Sequence, residues 1–464
     1  MQTKKRMHFE ISERKLLLRL FDIAFILFGL YMIDLFFDYH YFEFKKLKFQ
    51  GLLLLVCYVN IFGVIFEMYN LQVASNRFQI LQSTIFTVTV TVLVYLFTPV
   101  LSPELPKNRL SIIVFYFTVL AALLLWRFFY VYFLATHRFS QNVILICNKN
   151  QADELVLGLE NVDPHYKIIG FVNSDSLVQE DLTLNYIKEI GKNDLPAFVN
   201  KNNISEIVIA SQKTDGITPD LYQQLLQLLE SGNIIREYTQ VYESKTQRIP
   251  VQYITRDFYR FFPFSRSNNN KLYLLLVSLL EFVFSFIGLC ICAAFIPLIF
   301  IANIFWNKGP LFYTQERVGK YGKVFQIYKF RTMTENCESN GAVFATSNDK
   351  RITPFGKFMR KTRIDELPQF INVLKGDMAV IGPRPERPFF VKEIADIMPF
   401  YETRHVIKPG LTGWAQVNYS YGESIEESLI KLQYDLYYIK HRSIFLDLSI
   451  TFRTITTVLF YRGQ

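Results

Sequence analysis

The chain has 464 residues, of which 51% are hydrophobic and 16% aromatic, and its 50 Lys and Arg outnumber its 41 Asp and Glu by nine. That length allows two or three domains, and so apolar a composition predicts membrane-spanning segments between polar domains. The positive balance suits basic flanks of membrane segments, anionic lipid headgroups or a phosphorylated substrate, whereas nucleic acid is not an expected partner because no basic run is interleaved with aromatics in a recognisable module.

Four apolar stretches open the chain, and each is close to the roughly 20 residues that a helix needs to cross a hydrocarbon core of about 30 Å. They predict a four-helix transmembrane bundle within residues 1–138. An even number of spans returns the chain to its starting side, and the basic N-terminal segment places that side in the cytoplasm. We attribute Asp22, Asp34 and Glu67, which interrupt the spans, to helix packing or interfacial positions. The stretches are residues 16–37, 47–69, 80–99 and 110–134.

Short apolar strands alternate with helical segments in residues 139–262, a pattern that predicts a small parallel α/β domain of Rossmann-like shape. Its first strand leads into the turn Cys147-Asn-Lys-Asn-Gln151. A dinucleotide site needs glycines in that turn so that the backbone can approach a pyrophosphate. The turn has none, so we predict a domain that does not bind a nucleotide. Strands are expected at 142–147, 167–172 and 206–210, with helices at 153–159, 194–199 and 220–229.

A long apolar segment, residues 272–306, lies near the start of the last predicted domain, residues 263–464. It exceeds the length of one untilted span, and Pro297 removes a helical hydrogen bond past its middle. Two shapes fit this pattern: a kinked helix that crosses the bilayer, or a helix that bends and returns to the side it entered from. The second shape keeps the remaining polar chain in the cytoplasm, and we favour it slightly.

Adjacent carboxylates among cations form the candidate catalytic feature of this domain. Asp365 and Glu366 lie in a short run that also holds Arg360 and Arg363. Two neighbouring carboxylates can hold a divalent cation, or one can attack while the other binds the metal. Arginines match phosphate oxygens bidentately, and Arg384 stands between two prolines that fix its backbone. We predict a phosphoryl-transfer site whose cations lower the carboxylate pKa values; the alternative is a solvated helix face with i,i+4 ion pairs.

Five ordered sequence blocks carry a resemblance to a known family. From Gly309 onward the chain resembles the bacterial sugar transferase family, the monotopic phosphoglycosyl transferases. With four preceding spans and a Rossmann-like domain, it resembles the large members of that family, the exopolysaccharide biosynthesis polyprenyl glycosylphosphotransferases. The resemblance implies a multidomain membrane protein whose last, α-rich domain has a re-entrant helix at about residues 272–306. The blocks are residues 309–319, 328–333, 360–369, 376–385 and 409–417.

The resemblance implies an enzyme that transfers a sugar 1-phosphate from a UDP-sugar to a polyprenyl phosphate, usually undecaprenyl phosphate, and so initiates surface polysaccharide or glycoconjugate synthesis. In that family the aspartate of an Asp-Glu dyad attacks the β-phosphate, which gives a covalent phosphosugar-aspartate intermediate and UMP. Here the nucleophile falls at Asp365 and the Mg²⁺ (or Mn²⁺) ligand at Glu366, with Asp365 beside the metal. For Asp447 a structural salt bridge is an equal alternative. The expected substrate contacts are Lys329, Arg331, Arg360, Arg384 and Asp447.

The same resemblance implies a multi-pass protein of the bacterial inner membrane whose catalytic domain faces the cytoplasm, with membrane lipids as partners and a homodimer as the assembly. A charged nucleotide donor and a lipid acceptor meet at the membrane interface, where basic residues can hold the lipid phosphate. The five cysteines are odd in number and scattered, which argues against a disulfide framework and agrees with a reducing cytoplasm.

Three positions depart from the family's pattern. Pro297 matches the proline at which the re-entrant helix turns, but Ile296 stands where the family usually has a serine, and isoleucine cannot satisfy a freed backbone carbonyl. Lys271 stands alone where a basic pair is common. Tyr419 and Ser420 replace a Gly-Arg pair, so the phosphate contact of that arginine is not carried over to this chain.

Two other interpretations belong to different protein classes. Some sugar-nucleotide dehydratases and epimerases also join four spans to a Rossmann domain, but they need a Gly-rich turn and a Tyr-x-x-x-Lys pair. Such a pair occurs only at Tyr41 and Lys45, between two predicted spans. A non-catalytic membrane scaffold for polysaccharide assembly would not depend on the Asp365-Glu366 dyad.

Overall fold

The chain divides into two compact units, Met1–Val241 and Tyr242–Gln464. The domain junctions predicted at 138/139 and 262/263 and the Tyr41/Lys45 pair lie outside the described residues. The structure, a computed structural model, describes residues 11–36, 49–69, 73–74, 76–98, 102–106, 108–134, 141–160, 166–174, 187–210, 217–251, 268, 270–334, 349, 351–398, 400–419 and 425–459.

Apolar helices open the first unit, as predicted. They are α1 (Ile11–Phe36), α2 (Phe49–Ile65), α3 (Arg77–Leu96) and α4 (Leu110–Phe129). Three of them, α1, α3 and α4, are long and apolar enough to cross a membrane. The second predicted span gives a helix of 17 residues, about 25 Å long, because the chain leaves the helix after Ile65. Apolar helices of membrane-spanning length are therefore present as predicted, and the second helix is shorter than expected.

A buried ion pair joins α1 to α4. Asp22 and Arg127, both almost completely buried, contact each other directly. The guanidinium groups of Arg19 and Arg127 lie 4.9 and 5.4 Å from the centroid of the Tyr69 ring. Gly63 makes room for that ring, since a Cβ there would be 2.6 Å from it. Asp22 thus has the helix-packing position that the sequence predicted.

A parallel five-stranded sheet follows, with strand order β3-β2-β1-β4-β5, and it confirms the predicted parallel α/β domain. Thr218 caps one of its helices by accepting a hydrogen bond from the Leu221 amide, one turn into the helix. The elements are β1 (Gln141–Cys147), α5 (Ala152–Glu160), β2 (Tyr166–Asn173), β3 (Lys188–Glu189), α6 (Leu195–Lys201), β4 (Glu206–Ile209), α7 (Pro219–Glu230), β5 (Ile234–Glu237) and α8 (Tyr238–Thr246), which runs into the second unit.

The second unit combines one long helix with short strands, turns and surface helices. Its largest apolar core gathers around the buried Trp414 and the helix that contains Leu432 and Leu436. The elements are α9 (Lys271–Trp306), β6 (Phe312–Val318), β7 (Val324–Phe330), α10 (Pro354–Thr362), a 3-10 turn (Ile364–Gln369), α11 (Phe370–Lys375), β8 (Ala379–Ile381), α12 (Pro388–Ile397), a 3-10 turn (Tyr401–Val406), β9 (Gly410–Thr412), α13 (Trp414–Asn418), α14 (Ile425–His441) and α15 (Ile444–Leu459).

The long apolar segment forms one α-helix of 36 residues with Pro297 inside it. At about 1.5 Å per residue such a helix is longer than a hydrocarbon core is thick. The helix continues on both sides of the proline, so the structure does not divide it into two elements, and a re-entrant path stays a prediction. Gly288 lets Phe370 pack directly on the helix, because a Cβ at that position would lie 2.4 Å from the ring.

Candidate active site

The Asp365-Glu366 dyad lies in a 3-10 turn whose local sequence fixes its start. Thr353 caps α10 by accepting a hydrogen bond from the Gly356 amide at 3.0 Å. α10 ends at Thr362, and the residue after it, Arg363, adopts a left-handed backbone conformation with φ of 58°. That reversal ends the helix, so Asp365 and Glu366 belong to the following 3-10 turn, whereas the alternative interpretation placed them on a solvated helix face. Asp365 is only 6% exposed.

Side-chain amides and apolar contacts place this turn between a strand and the long helix. The buried Asn372 donates to the Gln326 carbonyl at 2.7 Å and accepts from the Tyr328 amide at 3.1 Å, which fastens α11 to β7. Ile364 and Leu367 pack beside the apolar residues of α9. The dyad turn is therefore packed against α9.

Glu366 contacts three cations of the site. Its Oε1 accepts hydrogen bonds from Lys329 at 3.0 Å and from Arg384 at 2.9 Å, and its Oε2 lies 3.5 Å from Arg363. Burial acts to raise the pKa of Glu366, but Arg384 and Lys329 outweigh burial and hold that pKa well below the ordinary value. Glu366 thus keeps Lys329 and Arg384, two of the predicted phosphate-binding side chains, in place.

Asp365 has the opposite electrostatic character. Burial, and then the charge of Glu366, raise the pKa of Asp365 to about 6, against the attraction of Lys329 and Arg360. Its Oδ1 is buried and accepts no hydrogen bond from the described residues. The sequence had predicted that the cations would lower the pKa of both carboxylates. That prediction holds for Glu366 and is wrong for Asp365, because burial and the charge of Glu366 outweigh the effect of the cations on its pKa.

Lys329 and Arg360 have different partners in the charge cluster. Lys329 lies on β7, and burial lowers its pKa while Glu366 opposes the shift. Arg360 lies on α10, where its Nε donates to Thr332 at 3.0 Å, and Asp365 is its largest electrostatic partner. Four cations, counting Arg363 and Arg384, therefore surround two carboxylates. The excess positive charge suits an anionic substrate.

In the loop that contains Arg384, four successive carbonyl oxygens each accept a hydrogen bond. Prolines on both sides of Arg384 have no amide hydrogen, so the loop cannot form regular structure there. The carbonyls of residues 383 to 386 accept, in order, from the Gly410 amide at 2.8 Å, Arg404 Nη2 at 3.0 Å, Arg317 Nη1 at 3.1 Å and the Val318 amide at 2.9 Å. This network holds the Arg384 guanidinium over Glu366.

Two of the residues predicted to contact substrate, Arg331 and Asp447, form hydrogen bonds within the protein. The guanidinium of Arg331 is buried and donates to the carbonyls of Asn307, Pro310 and Met333, which ties the exit of α9 to the end of β7. Asp447 accepts from Tyr273 at 2.6 Å and from Tyr438 at 2.7 Å, which ties the start of α9 to α14 and α15. Both arrangements anchor the long helix, and among the described residues neither side chain has a hydrogen bond or ion pair with the dyad. Their substrate roles remain untested predictions.

The carboxylates fit a cation that is shared with a substrate better than a preformed metal cage. Mg²⁺ is commonly bound through one or two carboxylates together with substrate phosphates. Asp365 offers an oxygen without a partner among the described residues, and Glu366 adjoins it. Over the described part of the chain, no group of three or more His, Cys, Asp or Glu side chains could hold a metal ion. A cation here would therefore need the oxygens of a bound phosphate.

Sequence reasoning missed Thr332, which holds Arg360, and the buried pair Arg404–Asp435, which holds the Arg384 loop. Charged residues close in sequence to the dyad were found because they cluster in the chain. Arg404 and Asp435 are distant in sequence from Arg384, and only the fold brings them together. Asp435 lies in the amphipathic run Ile425–His441, three residues from the core positions Leu432 and Tyr438, and a carboxylate at that spacing was the signal that could have found it.

Comparison with known proteins gives a consistent match for the second unit. The model of the family described as bacterial sugar transferase matches residues 272–461. The UDP-N-acetylgalactosamine-undecaprenyl-phosphate N-acetylgalactosaminephosphotransferase of Aeromonas hydrophila is 52% identical over 153 residues, which are 33% of this chain and 36% of that protein. The chain thus spans only about a third of that relative's length.

Two further relatives extend the match. The uncharacterized sugar transferase EpsL of Bacillus subtilis (strain 168) is 41% identical over 182 residues, 38% of this chain and 84% of that protein. The galactosyl transferase CpsE of Streptococcus agalactiae serotype III (strain NEM316) is 28% identical over 351 residues, 70% of this chain and 74% of that protein. The match to EpsL covers most of that shorter protein, and the match to CpsE is longer than the second unit.

Proposed function

Because the chain belongs to the bacterial sugar transferase family, we propose that it is a phosphoglycosyl transferase that moves a sugar 1-phosphate from a UDP-sugar to a polyprenyl phosphate, undecaprenyl phosphate in particular, and releases UMP. The product would be the first membrane-linked intermediate of a surface polysaccharide or glycoconjugate. The observation that carries the proposal is the unequal state of the dyad: Glu366 holds the cations, and Asp365 keeps a buried carboxylate oxygen without a partner among the described residues.

In the first step, an Asp365 oxygen attacks the β-phosphorus of the donor. A bond forms between that oxygen and phosphorus, the bond from the β-phosphorus to the bridging oxygen breaks, and UMP leaves with the bonding electrons. In the second step, an oxygen of the lipid phosphate attacks the same phosphorus and the bond to Asp365 breaks. The carboxylate is regenerated, and the sugar phosphate is joined to the lipid through a diphosphate.

A carboxylate with a raised pKa suits this role. At neutral pH a group with a pKa of about 6 is still mostly ionised, and it is a better nucleophile than an aspartate of ordinary pKa. Lys329, Arg360 and Arg384 would stabilise the charge on the phosphoryl oxygens, and they face the site before substrate binds because Glu366 and Thr332 hold them. Mg²⁺ or Mn²⁺ held by Glu366 and Asp365 would neutralise part of the donor's diphosphate charge.

The membrane geometry supports a lipid acceptor. The dyad turn and α11 pack on α9, a helix whose exposed side chains are largely apolar. A site fixed to such a helix can receive a lipid phosphate at headgroup depth and a soluble nucleotide from the adjacent water. We propose that this water is the cytoplasm of a bacterium, that the membrane is the inner membrane, that α9 is re-entrant and that the protein acts as a homodimer.

The direct test is UMP release by the full chain in lipid nanodiscs that contain undecaprenyl phosphate and Mg²⁺. UDP-N-acetylgalactosamine, UDP-galactose and UDP-glucose would serve as donors. We expect release from at least one donor, and its loss in Asp365→Asn. Asp396→Asn, an exposed aspartate on α12 of the same unit, is the matched control and should retain full turnover.

Two outcomes would contradict the proposal. Unchanged turnover in Asp365→Asn would remove the nucleophile assignment. No UMP release from any donor, together with normal polymer synthesis in cells that carry Asp365→Asn, would favour the non-catalytic scaffold instead.

A further inference from the structure

We propose that Arg404 is a positioning residue for catalysis: it holds the backbone of Arg384 so that the Arg384 guanidinium stays on Glu366. The inference rests on the proposed function and adds a residue that no sequence motif in the chain singled out. Arg404 is 4% exposed and directs its guanidinium to Tyr401, Asp435 and the Arg384 carbonyl. It therefore acts through its neighbour and does not contact substrate.

The contacts of Arg404 join three separate elements. Its Nη2 donates to the Arg384 carbonyl at 3.0 Å and to Asp435 on α14 at 2.7 Å, and its Nη1 donates to the Tyr401 hydroxyl at 2.6 Å. One planar guanidinium thus ties the loop of Arg384 to a helix of the unit's main core. Lysine, with a compact ammonium group, cannot reproduce that fork.

The position of the carbonyl is what gives the contact a catalytic consequence. Of the four held carbonyls in the loop, the one bound by Arg404 belongs to residue 384 itself. The next peptide, to Pro385, has no amide hydrogen with which to hold the loop from the other side. A small rotation of the backbone at 384 is amplified at the end of a long side chain, where Arg384 Nη2 lies 2.9 Å from Glu366.

Burial makes the Arg404–Asp435 pair a costly arrangement that needs an explanation. A buried ion pair commonly adds little net stability compared with an apolar pair of the same volume, because both ions lose their hydration. An apolar pair could not donate to the Arg384 carbonyl. The pair therefore supplies a donor at a point in the core where the loop needs one.

A double-mutant cycle between positions 404 and 384 separates this role from a merely structural one. Arg404→Lys keeps a positive charge opposite Asp435, so the fold is expected to survive. With the full chain in nanodiscs, we expect Arg404→Lys to lower kcat for UMP release about tenfold and Arg384→Ala to lower it about a hundredfold. The KM for undecaprenyl phosphate should change less than kcat in Arg404→Lys.

The expected signature is a lack of additivity. The double variant should be no slower than Arg384→Ala alone, to within about threefold, because Arg404 has no other route to the reaction. Tyr401→Phe removes one partner of the same guanidinium but leaves its bonds to Asp435 and the Arg384 carbonyl, so its kcat should stay within about twofold of the wild type.

Two results would overturn the inference. Losses that multiply in the double variant, about a thousandfold in total, would show that Arg404 acts independently of Arg384. Wild-type kcat in Arg404→Lys would show that the bond to the carbonyl does not matter. If Arg404→Lys does not fold, as judged by its melting transition, the paired change Arg404→Met with Asp435→Leu takes its place in the cycle with the same two criteria, because it removes the donor to the carbonyl without leaving a buried charge unpaired. A wild-type protein that releases no UMP contradicts the proposed function itself, and so differs from either result.

Discussion

Two buried acidic sites, one in each unit, differ in how their carboxylates are paired with cations. In the parallel sheet, Glu206 on β4 pairs with Arg236 on β5, and the guanidinium donates from Nε and Nη2 to both carboxylate oxygens. One acid meets one base, and both oxygens have a partner. At the dyad, two acids meet four cations, Glu366 attracts most of them, and an oxygen of Asp365 has no partner among the described residues.

The difference indicates which site carries chemistry. A paired carboxylate and guanidinium between neighbouring strands form a closed unit that stabilises the sheet register and leaves no group available to react. The dyad keeps an ionisable oxygen with a raised pKa and an excess of positive charge, which costs stability in the free protein. We therefore expect substitutions in the sheet pair to affect folding, and substitutions at the dyad to affect turnover.

Chelation should give the largest effect on the dyad. Removal of divalent cations with EDTA is expected to lower UMP release by about a thousandfold or more, because the donor's diphosphate would then lack a counter-ion beside Asp365. Mg²⁺ or Mn²⁺ should restore the activity. The melting transition of the protein should not move with EDTA, since no preformed metal cage exists in the described residues. Full activity in EDTA would contradict the metal assignment.

Matched arginine substitutions should separate the two sites. Arg384→Ala is expected to lower kcat about a hundredfold, because it removes a cation from the site. The melting temperature should change little, because the Arg384 side chain is partly exposed. Arg236→Ala should retain kcat and lower the melting temperature, because it leaves Glu206 buried without its partner. Both turnover and thermal denaturation should be measured on the same preparations. A reversed pattern would invalidate the comparison.

The pH profile tests the state of Asp365. The nucleophile must be ionised, and burial together with Glu366 raises its pKa to about 6. We expect kcat/KM for UMP release to fall about tenfold per pH unit on the acid side of that value. An aspartate of ordinary pKa would give a flat profile down to about pH 4. A flat profile at pH 5 would therefore contradict the raised pKa.

Removing the charge of Asp365 should stabilise the protein. An aspartate whose pKa is raised on folding favours the folded state at pH values below its unfolded pKa, and that stability is lost as the pH rises through about 6. At pH 7.5, Asp365→Asn is expected to melt at a higher temperature than the wild type. Glu206→Gln should melt at a lower temperature, because its partner Arg236 is left unpaired. Equal shifts of the same sign would remove the distinction between the sites.

His405 should give the smallest effect. Burial, and then the neighbouring Arg404, lower the pKa of His405 to about 4. The unfolded chain binds a proton near pH 6.5, so stability falls as the pH drops from that value towards 4. We expect the melting temperature of wild-type protein to fall more between pH 7 and pH 5 than that of His405→Gln. Identical pH dependence in the two proteins would contradict the shift.

Local periodicity predicted most elements of the first unit because each helix or strand shows its own apolar spacing in consecutive residues. The strand at 142–147 and the helix at 220–229 are apolar runs with clear turn or cap residues, and the structure has both. The second apolar stretch was predicted to span 47–69, but its helix ends at Ile65. The apolar sequence continues past Ile65, whereas the helix does not.

The dyad and the nearby Arg360 and Arg363 could be predicted because they lie together in sequence, whereas Lys329 and Arg384, which contact Glu366 directly, were predicted from the family resemblance. Their electrostatics could not, since the pKa of Asp365 depends on which carboxylate the cations contact. For Arg331, whose place in a motif predicted substrate binding, the structure adds three backbone carbonyl partners that the sequence did not predict, and its substrate role stays a prediction. Arg404 and Asp435 meet only through the tertiary fold, so no pattern in the sequence could have joined them to Arg384.

The most direct measurement is the mass of the protein after exposure to its donor without any lipid acceptor. Full-length protein in nanodiscs free of polyprenyl phosphate would be mixed with UDP-sugar and Mg²⁺, quenched, and analysed intact and as peptides. We predict an adduct with the mass of the sugar phosphate on the peptide that contains Asp365, one equivalent of UMP per adduct, and its discharge when undecaprenyl phosphate is added. UMP formation only in the presence of the lipid, with no adduct at any time, would contradict the account.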